Sequence, residues 1–354
     1  MSTSRSEGCT LTGALSVTTG VKDAVTIIHG PAGCAHHNVS LFFSLLHEQD
    51  IGAIPAIRCT DLRESEVIFG GEVVLEALVE ETVREGWKSV FVLSTCVVDT
   101  IGDDVAAVCS REYGVPVCYI PTSGFLGGVF QTGYENALLA LSSFSCRTAP
   151  DGTVTLIGEK NLEYEVEENF YEISRLMSAL GARIGLRYVR NIGTDRLADL
   201  GSGSLNILRD RSIDTVGKKF QELFGTPYIE ALPEGFVQTC EFLEKAGELL
   251  GKNPESAVDA EIRLQKRMIA RFREFAGRQV WFYGIPGVVR NSPAIEEIIQ
   301  TFDLSCDEDG ICLEVPDPFP VGTGGMSRLL HRWRRTAVSY THLRAHETVL
   351  DLVC

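Results

Sequence analysis

The chain has no Cys-x-x-Cys pair, although it carries 11 cysteines among its 354 residues. That absence removes the zinc ribbon and the thioredoxin-like dithiol. It has no Gly-x-x-x-x-Gly-Lys-[Ser/Thr] loop either, so ATP hydrolysis coupled to its work must lie on another chain. No uncharged stretch is long enough to span a bilayer. The opening Met1-Ser2-Thr3-Ser4-Arg5-Ser6-Glu7 lacks the apolar core of a signal peptide. A cytoplasmic protein without membrane contact is therefore expected. A basic surplus is missing as well: the net charge is −16 at pH 7. This argues against a nucleic-acid groove and favours solubility, or the steering of a partner with a basic face. No short internal repeat is present.

In a cytoplasmic protein the cysteines are expected as reduced thiols. Cys59, Cys109, Cys118, Cys146, Cys240, Cys306 and Cys312 read as small hydrophobes of the core. Around them, apolar runs of strand length alternate with helix-period segments, the pattern of a parallel α/β sheet. Val25–Ile28, Ile54–Ile57, Ser89–Leu93 and Val115–Ile120 read as the strands of a first Rossmann-like domain over residues 1–150. Helices are expected through Ser40–Leu46, after Gly70-Gly71 and from about Gly102. The turn-rich Ala149-Pro150-Asp151-Gly152 opens a second Rossmann-like domain over 151–235. A charged helical bridge follows over 236–277. A third α/β series begins at Gln279–Gly284 and stops early, giving a truncated domain over 278–336. Residues 337–354 lose the strand–helix rhythm and read as a non-native tail. His342, His346 and Cys354 are excluded from any site on that ground. The fold class is thus α/β, with repeated Rossmann-like domains and parallel sheets flanked by helices.

Three cysteines stand apart from the core set. Cys34 and Cys96 fall at the carboxyl ends of strands, where open parallel sheets bind ligands. Each precedes a helix whose first amides stabilise anionic sulfur. Gly30, Pro31 and Gly33 allow a tight turn and a close backbone approach to a bulky inorganic ligand. Cys9 lies in a segment of small residues before the first strand and is placed to fold over the same crevice. Thiolates brought together in this way suit a shared metal site or cluster, because soft sulfur donors favour iron–sulfur centres. The bland reading, three more core thiols, stays open on the residues alone.

The motifs Gly8-Cys9, His29-Gly30-Pro31-Ala32-Gly33-Cys34, Ile68-Phe69-Gly70-Gly71 and Ser94-Thr95-Cys96 occur in that order. Ile101-Gly102-Asp103-Asp104 and Ser123-Gly124-Phe125-Leu126-Gly127-Gly128 follow them. In this order and spacing the chain resembles the nitrogenase component 1 family. That family includes the molybdenum-iron protein subunits, cofactor-assembly scaffold proteins, dark-operative protochlorophyllide reductase and the reductive cyclase of coenzyme F430 synthesis. The resemblance continues more weakly through Ile157-Gly158-Glu159, Leu205-Asn206-Ile207 and Phe224–Tyr228. It implies that Cys9, Cys34 and Cys96 hold an iron–sulfur cluster, [4Fe-4S] or P-cluster type, at a subunit interface. It further implies a second component 1 subunit, the same or a homologous chain, and an ATP-hydrolysing iron–sulfur reductase protein as electron donor.

One departure limits the resemblance. Where nitrogenase α subunits carry a cysteine ligand for the active-site cofactor, this chain reads Leu208-Arg209-Asp210-Arg211. Asp210 offers hard oxygen in place of soft thiolate, so a typical nitrogenase α subunit is not expected. Three roles remain: a reductase subunit for a small unsaturated molecule or a tetrapyrrole, a scaffold for metallocluster assembly, or a β-type partner. His36 and His37 either tune the cluster or line a substrate cavity, or form an ordinary helix-surface pair. His29 is expected to satisfy backbone groups, and Asp103 and Asp104 to cap a helix. The acidic run Glu159 to Glu168 reads as a solvated face. Lys160, Arg187, Arg190, Arg209 and Arg211 are candidates for carboxylate recognition.

Overall fold

A computed structural model describes residues 8–48, 55–125, 128–160, 163, 165–284 and 292–350, the side chains of 45–48 and 339–350 excepted. Residues Met1–Glu7, Ile54, Leu126, Gly127 and Cys354, and the side chains of His342 and His346, lie outside that description. Two compact units form. The first takes in the chain up to 163 together with 184–231, and the second takes in 164–183 and the chain from 232 onward.

The first unit opens on α1 (Thr10–Thr18), β1 (Ala24–His29), α2 (Ala32–Glu48) and β2 (Ile57–Cys59). Next come α3 (Glu64–Phe69), α4 (Glu72–Arg84), β3 (Ser89–Ser94), α5 (Cys96–Ile101) and α6 (Val105–Cys109). β4 (Val117–Ile120) and α7 (Phe130–Leu141) complete the first α/β layer. Its sheet has the order β2-β1-β3-β4, all pairs parallel. β1 and β3 are buried at every residue, as an interior parallel strand requires. Chain order reverses between these two neighbours, and their register ends on His29 opposite Ser94. The crevice beyond that point is the topological switch point, where open α/β sheets take their ligands.

A second parallel sheet in this unit is built from β5 (Val154–Ile157), then β6 (Ile184–Tyr188), β7 (Leu205–Leu208) and β8 (Tyr228–Ile229), with α9 (Asp214–Phe224) between the last two. Its order is β6-β5-β7-β8, so its own switch point lies between β5 and β7. α8 (Val166–Ala179), which leaves β5, belongs to the second unit.

The second unit continues with α10 (Val237–Leu250), α11 (Glu255–Arg271), β9 (Gln279–Tyr283), α12 (Pro293–Phe302), β10 (Ser305–Cys306), β11 (Ile311–Glu314) and α13 (Gly322–Leu350). Three parallel strands order as β10-β9-β11 over a core of Phe272, Val280, Ile298, Leu313, Met326 and Trp333. The α13 backbone runs on to Leu350. Buried charge organises this unit. Arg175 makes bidentate bonds to Glu172 at 2.9 and 2.8 Å and to Glu261 at 2.8 Å. Glu172 also accepts from the Gly324 amide at 2.8 Å, near the start of α13. Glu297 likewise accepts from the Phe236 and Val237 amides at 2.7 and 2.8 Å, where α10 begins.

Several elements differ from the sequence reading. The second strand is Ile57–Cys59 rather than 54–57. The helix expected from about Gly102 is α6, beginning at Val105, and a separate short helix, α5, precedes it from Cys96 and ends at Gly102 in a left-handed conformation. The small-residue segment after Cys9 is a helix, although its Thr and Gly content has low helical propensity. All nine residues of α1 are buried. Tertiary burial, not propensity, makes it helical.

Candidate functional site

The three singled-out cysteines occupy equivalent places in their elements. Cys9 is the N-cap of α1, Cys34 the third residue of α2, and Cys96 the first residue of α5. Helix starts leave backbone amides without intrahelical partners. Neither α1 nor α5 has a side-chain cap.

The placement of Cys9 depends on two glycines. A Cβ on Gly13 would stand 1.9 Å from the Phe130 carbonyl oxygen, and one on Gly133 would stand 1.8 Å from that of Thr10. α1 and α7 therefore touch backbone to backbone, which no larger residue permits, and Cys9 is carried to the end of that contact. Cys34 and Cys96 follow from the sheet. β1 ends at His29 and turns through Gly30-Pro31, where the Cys34 amide donates to the Pro31 carbonyl at 3.2 Å. β3 ends at Ser94, and the Thr95 amide donates to the His29 carbonyl at 3.0 Å. The two corners are thus tied together at the switch point. Close packing again demands glycine: a Cβ on Gly30 would meet the Thr95 Oγ1 at 2.2 Å. From a third direction the Gly124 amide donates to Cys96 Sγ at 3.4 Å.

The thiols sense one another. Burial pushes the Cys34 thiol above the ordinary thiol range, and the neighbouring Cys9 and Cys96 push it further the same way. Like-charged thiolates disfavour one another, and a cation between them reverses the effect. Cys9 is exposed, whereas Cys34 and Cys96 are half-buried. Among the described residues no group of three or more His, Cys, Asp or Glu side chains is close enough to hold a single metal ion. A polynuclear iron–sulfur body makes a different demand, since each thiolate binds its own iron and the sulfides bridge the span. The donor set, three soft sulfurs at one sheet switch point, fits that group and does not fit a lone hard cation.

Two buried hydroxyls adjoin these cysteines without a hydrogen-bond partner among the described residues: Thr10 Oγ1 and Thr95 Oγ1. Asn38 Oδ1, one turn beyond Cys34, is a third such atom, while its Nδ2 donates to the Cys34 carbonyl at 2.8 Å. These residues were not visible as functional candidates in the sequence, where nothing distinguishes a satisfied threonine from an orphaned one. Cys59 was read as core. It is half-buried, with its thiol donating to the Gly30 carbonyl at 3.4 Å and accepting from the Asp61 amide at 3.3 Å.

The other sequence candidates divide. Gly33 borders open space, and His36 and His37 are exposed on α2. His29 is fully buried and engages side chains rather than the backbone groups expected: Nε2 lies 3.0 Å from Asp103 Oδ2, and Nδ1 3.0 Å from Thr60 Oγ1. An ionised carboxylate only accepts, so Nε2 carries the proton and Nδ1 accepts from the Thr60 hydroxyl. Asp103 does not cap α6. It accepts from the Gly71 amide at 3.0 and 3.1 Å, while Asp104 caps α6 through the Ala107 amide at 2.9 Å.

At the second switch point the first part of the acidic run is not a solvated face, although Glu168 at its end is exposed. Glu159 is buried and grips Arg187 with bonds of 2.7 and 2.6 Å. Glu163 accepts from Arg209 at 3.0 Å and lies 3.6 Å from Lys160 Nζ, which also reaches Asp210 at 3.3 Å. Of the basic residues expected to recognise carboxylates, Lys160, Arg187 and Arg209 thus already hold internal ones. A cleft of about 520 Å³ beside them is lined by Gly8, Val129, Phe130, Gln131, Lys160, Asp210 and Ser212. Burial pushes the Asp210 carboxyl up, but Lys160, Ser212 and Arg209 outweigh it and hold it below the usual carboxylate range. Asp210 also accepts from the Ser212 amide at 2.9 Å. It is an ion-paired turn cap.

Parallel sheets flanked by helices, with cysteine-bearing corners at a switch point, define an α/β fold of Rossmann-like layers. Comparison with known proteins gives the family. The model of nitrogenase component 1 type oxidoreductases matches residues 9–292, and the chain belongs to that family. It is 32% identical over 251 residues to the nitrogenase iron-molybdenum cofactor biosynthesis protein NifE of Clostridium pasteurianum, covering 69% of this chain and 54% of that protein. It is 28% identical over 300 residues to the nitrogenase molybdenum-iron protein alpha chain of Methanothermobacter marburgensis, covering 78% and 63%. The chain therefore spans between about half and two thirds of these relatives' length. The solved structure of nitrogenase Cp1 at pH 5 superposes with a TM-score of 0.65 at 20% identity, over 87% of this chain and 64% of that one, which shows the fold.

Proposed function

We propose that this chain is a component 1-like subunit that holds an iron–sulfur cluster through Cys9, Cys34 and Cys96. The observation that carries the reading is the convergence of the Cys34 and Cys96 corners at the sheet switch point, where the Thr95 amide donates to the His29 carbonyl and the Gly124 amide to Cys96 Sγ. When bound, the cluster supplies low-potential electron transfer. The chain's own residues orient the thiols and shield them, with Gly30 and Gly33 lining the corner and His36 standing on the same helix. Three thiolates leave donors to be supplied by a second component 1 subunit, the same or a homologous chain. The electron donor is an ATP-hydrolysing iron–sulfur protein, and the two proteins meet in the cytoplasm. Ile68, Phe69 and Val73, exposed at 64%, 87% and 78%, offer an apolar face for such a partner.

A second reading, a non-catalytic scaffold for a nitrogenase-type metallocluster or a β-type partner, is favoured by Asp210. An aspartate already bound to Lys160 and the Ser212 amide is poorly suited to anchor a sulfide-rich cofactor. The relatives include both a cofactor biosynthesis protein and alpha chains. Iron and acid-labile sulfide, measured with the EPR spectrum after dithionite reduction on the anaerobically reconstituted chain, test the common core of both readings. Folded protein without stoichiometric iron and sulfide removes it.

A further inference from the structure

We infer that the Thr10 and Thr95 hydroxyls are hydrogen-bond donors to the sulfur of the bound cluster and set its reduction potential. This rests on the proposed function and adds residues to it. Both threonines are buried, at 1% and 2% exposure, and both hydroxyls lack a partner among the described residues. A buried hydroxyl without a partner is costly, and a ligand is one thing that answers it. Their positions follow the cysteines. Thr95 precedes Cys96, and its Oγ1 packs against Gly30 of the Cys34 corner, 2.2 Å from where a Cβ would stand. Thr10 follows Cys9, and its Oγ1 faces the loop whose Gly124 amide already donates to Cys96, 2.9 Å from a Cβ placed on Gly124 and 2.7 Å from one on Gly128. The Thr95 hydroxyl thus lies between the Cys96 and Cys34 segments, and the Thr10 hydroxyl between the Cys9 segment and the loop that donates to Cys96.

Hydrogen bonds to cluster or thiolate sulfur stabilise the electron-rich reduced state and raise the potential. Valine keeps the shape of threonine and removes only the donor. In the cluster-free protein, Thr10→Val and Thr95→Val should therefore melt at a higher temperature than wild type, because an orphaned group is gone. In protein reconstituted with ferrous iron and sulfide, the same variants should show a more negative midpoint in an EPR-monitored dithionite titration. Thr10→Ser and Thr95→Ser should restore the wild-type midpoint. A gain in stability together with a loss of potential is a combination that a merely structural threonine does not produce. Iron bound with an unchanged midpoint in both valine variants overturns this inference alone. So does a midpoint that the serine variants fail to restore, or a cluster-free melting temperature that is unchanged or lower. A wild-type chain that binds no iron withdraws the cluster reading and this inference with it.

Discussion

The helix starts at the cysteines of the first unit differ from two starts in the second. In the second, internal carboxylates close them: Glu172 takes the Gly324 amide near the start of α13, and Glu297 takes the Phe236 and Val237 amides at α10. In the first, α1 and α5 start beside Cys9 and at Cys96 with no side-chain cap, and buried hydroxyls beside them have no partner among the described residues. A strand followed by Pro320-Val321-Gly322-Thr323-Gly324-Gly325 and a long helix has the outline of a phosphate loop. Here the anion is already built in. The lesson is that glycine-rich helix starts of similar appearance are ligand-ready or finished according to whether the fold supplies its own acceptor.

The sharpest break of this comparison exchanges iron against stability. Cys34→Ala and Cys96→Ala should each remove most of the bound iron, while Cys146→Ala, at an exposed loop cysteine, should keep it. Melting of the cluster-free variants should stay near wild type. Equal iron in all three ends the ligand assignment. Glu172→Gln should do the reverse. It strips a buried carboxylate from Arg175, whose charge the two glutamates sustain against burial. Removing one partner of a buried pair costs about 3 kcal/mol, less here because Arg175 is half-exposed. Urea unfolding should report that loss while iron content stays unchanged. A Glu172→Gln chain that loses iron at full stability contradicts the division between the units.

Gly133→Ala sharpens the comparison where the two properties meet. Its new methyl would press on the Thr10 carbonyl at 1.8 Å, backbone against backbone, so α1 must shift and take Cys9 with it. Overpacking of this kind costs about 1–3 kcal/mol. Both iron content and the unfolding midpoint should fall together. Iron retained at wild-type level in a destabilised Gly133→Ala would show that Cys9 is placed by something other than the α1–α7 contact.

Much of the first unit was legible in the sequence because its strands are continuous apolar runs. Val25–Ile28 and Ser89–Leu93 lie within β1 and β3, and the cysteines after them fall where strand ends meet. The residues alone placed the Cys9 segment over the same crevice, and the resemblance made Cys9 a ligand with the other two. What stayed hidden was set by distant partners. Glu159 and Glu163 read as a surface because Arg187 and Arg209 lie 28 and 46 residues further on. Asp103 read as a cap because its acceptor role toward Gly71, 32 residues earlier, depends on how α3 and α4 meet. The helix at Thr10–Thr18 was illegible for another reason, since its sequence disfavours helix and only complete burial forms it.

The smallest effect concerns His29, a buried histidine that stands behind the cysteine corners. Burial lowers the His29 pKa below the ordinary value, and the Asp103 hydrogen bond and charge, with Glu72, only partly oppose this. A folded pKa below the unfolded one means that the unfolded chain takes up the proton first. Stability supported by neutral His29 is therefore complete above about pH 6.5, the unfolded imidazole value, and drains away as pH falls from there toward the folded pKa. Other carboxylates titrate in the same region, so the difference between two proteins is the useful quantity. His29→Gln keeps a polar group in place but has no proton to gain. Between pH 6.5 and 5 its urea midpoint should fall less steeply than that of wild type, by about 1 kcal/mol or less over the range. Arg175, the charged centre of the second unit, does not titrate there, so the difference belongs to the first unit. Parallel slopes would mean that His29 is as readily protonated folded as unfolded. The assignment of a single Nε2 proton shared with Asp103 would then have to give way to an imidazolium held against that carboxylate.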